Sequence, residues 1–305
     1  EITAGQRVGG RFVVGERVEG YGLGETFHAR DEEARDACLV KRLPAATDAR
    51  ELDPKRMRQG ASLVRVRAAG SADGVGWVAM DVPEGECLAR RLEKQRREGG
   101  GGELAALRTL GLALCGALAS AHRSGASGQG AHGGITPVSV FLRGWSRREC
   151  DVLLADFGLV PWMVTPTWSP PRVMQSVWHP VAPEFASSPR AATPATDVFA
   201  VAMIVMEFVA EAPVREAAWG ALGAGKGSVA SVLERARPGL HASVRDALLA
   251  ALDASPARRP KDADRFAKLL RDATWSETEV VAAPKERRAS TPLPPPPAEV
   301  AAPRA

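Results

Sequence analysis

The stretch Val152-Leu153-Leu154-Ala155-Asp156-Phe157-Gly158 carries an apolar run that ends on an aspartate, an aromatic residue and a glycine. Another apolar run, residues 138–142, precedes it, and the polar residues 143–150 lie between the two runs. Two apolar runs of strand length separated by a polar segment are typical of a β-hairpin. The sequence therefore predicts a hairpin whose second strand is followed directly by Asp156.

Upstream of this hairpin, residues 11–80 alternate short apolar or β-branched runs with turns. This alternation predicts β-strands, and one helix-like stretch, residues 54–66, interrupts them. The predicted strands include residues 12–14, 26–29, 38–40 and 77–80. We therefore expect a small N-terminal lobe that is mainly β and contains one main helix.

From Leu88 onward the apolar spacing becomes helical, as in Leu104, Leu107, Leu110, Leu114 and Leu118. Further helices are predicted within residues 198–209, 243–252 and 262–270. After Trp275 this spacing stops and a proline-rich segment begins, which predicts a disordered tail. The expected fold class is α+β with two lobes. The expected divisions are an extension (1–10), an N-lobe (11–82), a mainly α C-lobe (83–275) and a tail (276–305).

The composition indicates a soluble globular chain of 305 residues, 45% hydrophobic and 25% charged. The net charge of +4 is small and the basic residues are scattered, so we expect no nucleic-acid partner. The most apolar run, residues 198–209, is too short to cross a bilayer and contains Glu207. The four cysteines are far apart, which favours reduced thiols over a metal site. We expect a cytoplasmic location.

Motifs in a fixed order place this chain beside a known family. A glycine-containing segment, residues 18–31, is followed at strand distance by Lys41, and Asp156-Phe157-Gly158 and Ala182-Pro183-Glu184 come downstream. Together these motifs resemble the protein kinase family, specifically bacterial Ser/Thr kinases of the Hanks type. The resemblance covers about residues 11–272 and implies a bilobal kinase-like fold.

The resemblance also implies structural roles for residues outside the chemistry. Asp197 occupies the position where the long helix of the C-lobe begins, and Arg259 matches an arginine that pairs with Glu184. His132 is expected to pack against Phe157 and to bind no ligand. Further expected positions are those of the gatekeeper and hinge, Met80 and Val82, and of the N-lobe helix glutamate, here Gln59.

The catalytic loop departs from the family pattern at the positions that carry the chemistry. Residues 132–139 align with the loop, and Gly134 stands where the family has the aspartate base. Thr136 and Ser139 replace the lysine that contacts phosphate and the asparagine that binds magnesium, while Gly133 replaces an arginine. Loss of a general base alone costs about 10²- to 10⁴-fold in rate. The resemblance therefore implies a pseudokinase, with no catalytic residue in the loop.

One alternative to inactivity stays open at the level of sequence. The loop alignment could be shifted so that another carboxylate, for instance Asp151, supplies the base. The chain would then be an active or weakly active Ser/Thr protein kinase. A third hypothesis is a switch in which ATP binds without transfer and changes the affinity for a partner.

A residual nucleotide site is implied by Lys41, which matches the phosphate-contacting lysine, and Asp156, which matches the magnesium ligand. The remaining positions of this site are Gly22, Gly24, Met80 and Val82. Glu19 and Tyr21 stand at glycine positions and would hinder close approach of phosphate. We expect ATP and Mg²⁺ to bind weakly or not at all. An alternative role for Lys41 and Asp156 is a structural pair with each other.

The expected partner is a protein of a signalling pathway. Trp162, Trp168, Trp178 and Trp219 fall in or after the segment between Asp156 and Glu184. They would form either a docking surface or part of the core. The tail places basic residues before Ser290 and Thr291, which resembles a phosphoacceptor site, with a plain solvated linker as the alternative.

Overall fold

Two antiparallel sheets and a group of helices build the molecule, which is described here from a computed structural model. The structure describes residues 2–18, 21, 24–43, 60–123, 130–159, 182–188, 192–211, 214, 217–218, 221 and 226–277. The larger sheet forms the N-lobe, and the smaller sheet begins the C-lobe directly beneath it. The connection from the larger sheet to the smaller one runs through residues 81–85.

The N-lobe sheet has six strands in the order β1-β2-β3-β4-β6-β5, each antiparallel to its neighbours. Its strands are β1 (Arg7–Val8), β2 (Phe12–Val18), β3 (Thr26–Asp31), β4 (Asp36–Arg42), β5 (Val66–Ala72) and β6 (Val75–Met80). Asp73 and Gly74 both have positive φ between β5 and β6, as a two-residue hairpin turn of type I′ requires. The predicted extension 1–10 takes part in this sheet, because β1 pairs with β2 and Ile2 is buried.

The prediction of a helix over residues 54–66 is wrong for residues 60–66, the part that the structure describes. Residues 60–65 form a turn and an extended segment, and Val66 begins strand β5. Leu63 and Val64 are buried beside Leu154 of the smaller sheet. The N–H of Val64 donates to the Leu154 carbonyl at 2.8 Å, and the N–H of Leu154 donates to the Ser62 carbonyl at 2.9 Å. The apolar spacing therefore reflects contact with a strand, while residues 54–59 lie outside the described residues.

The smaller sheet contains the predicted hairpin. Its strands are β7 (Glu86–Cys87), β8 (Val140–Trp145) and β9 (Cys150–Leu154), in that order across the sheet. A 3₁₀ turn over Pro137–Ser139 leads into β8, and Asp156 follows β9 as predicted. The hairpin thus brings the loop before β8 and the segment after β9 to the same edge of the sheet.

The rest of the C-lobe is helical. Its described helices are α1 (Leu88–Glu98), α2 (Leu104–Arg123), α3 (Pro183–Ser187), α4 (Pro194–Val209), α5 (Lys226–Ala236), α6 (Ala242–Ala251) and α7 (Ala263–Asp272). By length and composition α2 could cross a bilayer. It contacts α4, α7 and β9, however, and its apolar face is buried in the C-lobe core, as in a core helix of a globular domain.

The boundary of the predicted tail moves by two residues. Ser276 accepts a hydrogen bond from the backbone of His241, and Glu277 forms an isolated bridge with Leu240. The Glu277 carboxylate also pairs with Arg237 at 2.6 Å. Residues 276 and 277 therefore pack against the C-lobe, and residues 278–305 lie outside the described residues.

Candidate functional site

The predicted site residues Lys41 and Asp156 lie in direct contact between the two lobes. Strand β4 carries Lys41, and Asp156 follows β9 with a positive φ of 64°. The Lys41 Nζ lies 2.5 Å from Oδ1 and 2.6 Å from Oδ2 of Asp156. Both side chains are only 1% exposed. The pairing of these two residues, expected as one of two alternatives, is present in the structure.

A third acceptor completes the surroundings of the ammonium. The backbone carbonyl of Tyr21 accepts a hydrogen bond from the Lys41 Nζ at 2.8 Å. An ammonium group has three hydrogens to donate, and the protein supplies three acceptor oxygens for them. Burial lowers the pKa of Lys41 from its ordinary value, and the charge of Asp156 opposes that shift. These oxygens thus compensate the ammonium for its loss of water.

The Tyr21 side chain packs on the smaller sheet, whereas its backbone carbonyl contacts Lys41. Its ring stacks on the ring of Phe141, with centroids 5.7 Å apart and planes inclined by 22°. Met80, the expected gatekeeper, is buried in the apolar cluster that contains Phe141, and Val82 packs against this cluster. Gly24 has a positive φ of 82°, which suits a glycine. Gly22 and Glu19 lie outside the described residues.

The catalytic-loop positions carry neither a carboxylate nor a cation. Gly134, Thr136 and Ser139 are all buried. Gly133 has a φ of 75°, and a Cβ placed there would lie 3.0 Å from the Cβ of Ala192. An arginine at this position would therefore strain the backbone and crowd Ala192. The loop has a conformation that suits its own sequence and not that of the family pattern.

The hydroxyl of Ser139 is used inside the loop. It donates to the carbonyl of Thr136 at 2.9 Å and accepts from the N–H of Thr136 at 3.0 Å. The backbone of Ser139 also receives a hydrogen bond from Ala155, next to Asp156. Ser139 therefore holds the loop turn together through its hydroxyl.

Asp197 lies near the start of α4, as the resemblance implied, and it also supports the loop from below, which the sequence did not reveal. Its carboxylate accepts hydrogen bonds from the backbone N–H groups of His132 at 2.7 Å and Gly133 at 2.8 Å. The same carboxylate lies 2.8 Å from Nε2 of His122. Asp197 is 1% exposed. Because both of its oxygens accept hydrogen bonds from the backbone of residues 132 and 133, this carboxylate stabilises the conformation of the loop.

His132 and Phe157 make the predicted contact. Their rings meet edge to face with centroids 5.5 Å apart, and the other side of His132 bonds to the carbonyl of Ala155 through Nε2 at 2.7 Å. This arrangement links the loop to the Asp156 segment. It leaves His132 in a structural position within the core.

Asp151, the alternative base, lies at the distant end of the hairpin. Its carboxylate pairs with Arg143 at 2.9 Å and is 52% exposed. Asp151 lies five residue steps before Asp156, which corresponds to about 17 Å at the usual rise of a strand. Asp151 is therefore remote from the Lys41–Asp156 pair.

The predicted pair of Glu184 and Arg259 is bidentate. Arg259 Nη1 and Nη2 lie 2.6 and 2.8 Å from the two carboxylate oxygens of Glu184. Arg259 is fully buried and also donates to the carbonyls of Asp253 and Ala195. The hydroxyl of Thr196 adds a further hydrogen bond to Glu184, which the sequence did not reveal. The pair ties α3 to the start of α4.

A charged network behind the hinge was also missed from the sequence. Arg67 on β5 is 6% exposed and bonds to three carboxylates, those of Asp31, Asp36 and Asp81. Arg11 also pairs with Asp31 at 2.6 Å, and hydrogen bonds from Arg11 hold the pKa of Asp31 below its usual range. Since these residues are scattered over four segments, only the register of the strands brings them together.

The described residues contain no group of three or more His, Cys, Asp or Glu side chains that could hold a metal ion. For a Mg²⁺-bound nucleotide the fit is poor in this conformation. The ammonium of Lys41 is surrounded by protein oxygens, and the Ser139 hydroxyl is engaged in the loop. Gln59 and the four tryptophans at 162, 168, 178 and 219 lie outside the described residues.

Solved structures resemble this arrangement of lobes. The kinase domain of PknI from Mycobacterium tuberculosis matches with a TM-score of 0.62 and 21% identity, covering 89% of this chain and 99% of that domain. A double mutant of the same domain gives a TM-score of 0.63 and 22% identity, covering 89% and 98%. The chain has a protein kinase fold. No protein-family profile and no curated protein matches it.

Within this kinase fold, the predicted contacts that the structure contains belong mainly to the scaffold. Asp197 at the start of α4, Glu184 with Arg259, and His132 against Phe157 are all in place. Lys41 and Asp156 meet at the boundary between the lobes. Gly134, Thr136 and Ser139, which the alignment of the sequence predicted at the phosphoryl-transfer positions, are buried in the loop.

Proposed function

We propose that this chain is a pseudokinase, a kinase-fold module that regulates or scaffolds signalling by binding another protein and that transfers no phosphate at a useful rate. The observation that carries the proposal is the composition of the loop. Phosphoryl transfer needs a carboxylate to orient the acceptor hydroxyl and cations to neutralise phosphate charge. Gly134 and Thr136 supply neither, and Asp197 is engaged by the backbone.

Weak or absent binding of ATP is part of the same proposal. The three acceptors around Lys41 compete with phosphate oxygens, and no second magnesium ligand is offered by Ser139. No cofactor is required for the proposed role. A cytoplasmic location and phosphorylation of the tail at Ser290 or Thr291 also belong to the proposal.

The alternative function is a Ser/Thr protein kinase with low activity. Retention of Lys41 and Asp156 favours it, because these residues hold phosphate and magnesium in active kinases. The two functions differ in one measurable quantity, the transfer of the γ-phosphate of ATP to a protein.

Incubation of the full chain with radiolabelled ATP, Mg²⁺ and generic protein substrates tests the proposal. We compare it with Asp156→Asn, which removes the charge at nearly constant shape, and with Asp151→Asn as a matched exposed control. We expect the same background signal from all three proteins. A signal lost in Asp156→Asn and retained in Asp151→Asn, with all three proteins folded by circular dichroism, would establish an active kinase.

A thermal-shift titration tests the weak binding of ATP separately. A ligand that binds only the folded state raises its stability by an amount that grows with the ratio of concentration to Kd. We expect no shift of the melting temperature at ATP·Mg²⁺ concentrations below about 1 mM, where the gain from a Kd of that order is under about 0.5 kcal/mol. A clear shift in this range would contradict weak binding.

A further inference from the structure

Tyr21 lies at the mouth of an apolar cluster between the lobes. From the N-lobe the cluster takes Leu39 and Met80, and from the smaller sheet it takes Phe141 and Leu153. Val18, Tyr21 and Val82 are partly buried against these residues. The Tyr21 ring covers Phe141 in a stacked geometry, with centroids at the separation usual for aromatic pairs. The flat face of Phe141 is thus covered by another flat ring of the same chain.

The backbone of Tyr21 contacts the buried Lys41–Asp156 pair, which also lies between the lobes. Its carbonyl accepts a hydrogen bond from the Lys41 Nζ, whose other contacts are the two oxygens of Asp156. Tyr21 therefore contacts both the ring of Phe141 and the ammonium of Lys41. A ligand with a planar base and a phosphate chain would need the same two places.

We propose that Tyr21 is an intramolecular plug, which holds the cleft closed by stacking on Phe141 and bonding to Lys41. The site that it closes accepts a planar heteroaromatic base carrying phosphate groups. This inference rests on the weak nucleotide binding in the proposed function and assigns its cause to one residue, with the ring of Tyr21 as the part that a substitution can remove. When the plug leaves, the base stacks on Phe141 and a phosphate oxygen replaces the Tyr21 carbonyl at Lys41.

The effect on affinity follows from populations. If only a fraction of molecules has the plug displaced, the apparent Kd is raised by the inverse of that fraction. An open population of about 1 in 10 thus weakens binding about 10-fold, and removal of the ring restores that factor. The plug predicts a gain of binding on mutation, whereas ordinary damage to a site predicts a loss.

Titration of the full chain with a fluorescent ATP analogue and Mg²⁺ tests the plug. We compare the natural chain with Tyr21→Ala, which removes the ring, and with Tyr21→Phe, which retains it. We expect Tyr21→Ala to bind at least about 10-fold more tightly than the natural chain and Tyr21→Phe to match the natural chain. Equal affinities, or no binding by Tyr21→Ala at millimolar probe, would overturn the inference.

A second measurement tests the stacking of Tyr21 on Phe141 while the tyrosine side chain is kept. Tyr21 is the only tyrosine of the chain, so incorporation of 3-fluorotyrosine places one fluorine probe at this position alone. We expect a ¹⁹F resonance displaced from that of the urea-unfolded chain by the ring of Phe141, and a smaller displacement in Phe141→Leu. A folded chain whose resonance coincides with the unfolded one would overturn the stacking.

The phosphotransfer assay separates this inference from the proposed function. If Tyr21→Ala binds the analogue and remains inactive, both proposals are supported. If it binds and also transfers phosphate, the plug is supported and the pseudokinase proposal is wrong. If it fails to bind and remains inactive, the plug is wrong and the pseudokinase proposal is supported.

Discussion

The polar groups of the loop over residues 132–139 and those of the helical scaffold beneath it differ in their hydrogen-bond partners. In the scaffold, Asp197, Glu184 and Arg259 are charged, mostly buried and fixed by several partners from distant segments. In the loop, Gly134 has no side chain and the hydroxyl of Ser139 bonds to a residue three positions away. Breaking a buried charge pair is costly, whereas a local hydrogen bond is easily rebuilt. The fold can therefore persist while the chemistry of the loop changes.

The largest expected effect comes from Arg259→Ala. The substitution leaves the carboxylate of Glu184, which is only 16% exposed, without its bidentate partner. Removal of one member of a buried pair costs about 3–5 kcal/mol. Arg123→Ala is the matched control, since Arg123 is 66% exposed and its partner Asp264 is 69% exposed. Exposed pairs contribute about 0–1 kcal/mol. Urea titration of both variants measures the difference, and similar losses in the two would contradict the role of the pair.

A smaller effect is expected for Asp197→Asn. The amide keeps one acceptor oxygen, while its NH₂ group faces an N–H of the loop and leaves that donor unsatisfied. An unsatisfied buried donor costs about 1–3 kcal/mol. The control is Asp264→Asn, because Asp264 is 69% exposed in its pair with Arg123. The free energy of unfolding should fall by about 2 kcal/mol for the first variant and hardly change for the second. Equal free energies of unfolding for the two variants would contradict a structural role for Asp197.

The smallest expected effect concerns the loop itself. Gly133→Ala introduces a side chain at a φ of 75° and places its Cβ 3.0 Å from that of Ala192. The left-handed conformation alone costs about 1–2 kcal/mol for such a residue. Gly144→Ala is the control, since no atom lies within 4 Å of its added Cβ. Thermal unfolding should show a loss only for Gly133→Ala, and an unchanged melting temperature would mean that the loop adapts freely.

The scaffold was more predictable from sequence than the site. The order of the motifs fixed the alignment, so the contacts of Glu184 with Arg259 and of His132 with Phe157 could be stated in advance. Strand β5 was missed because Val66–Ala72 is rich in small residues and shows no clear alternation. Leu63 and Val64 suggested a helix, although their burial comes from an extended contact with β9.

The site depended on contacts that no local pattern carries. Tyr21 was expected to hinder phosphate by its bulk, but its partner Phe141 lies 120 positions further along the chain. The hydroxyl of Ser139 was expected only as a missing ligand, and its two bonds to Thr136 require the 3₁₀ turn that follows. The motif alignment identifies which residues stand at a position, whereas their contacts depend on the backbone around them.

The hydrogen bonds between residues 62–64 and Leu154 give the lobes a second joint besides the hinge. The strand that receives these bonds ends two residues before Asp156. A protein bound to residues 60–64 would therefore contact a segment that is hydrogen-bonded directly to β9. Residues 62–64 and Leu154 thus connect the N-lobe to the segment of Asp156 independently of residues 81–85.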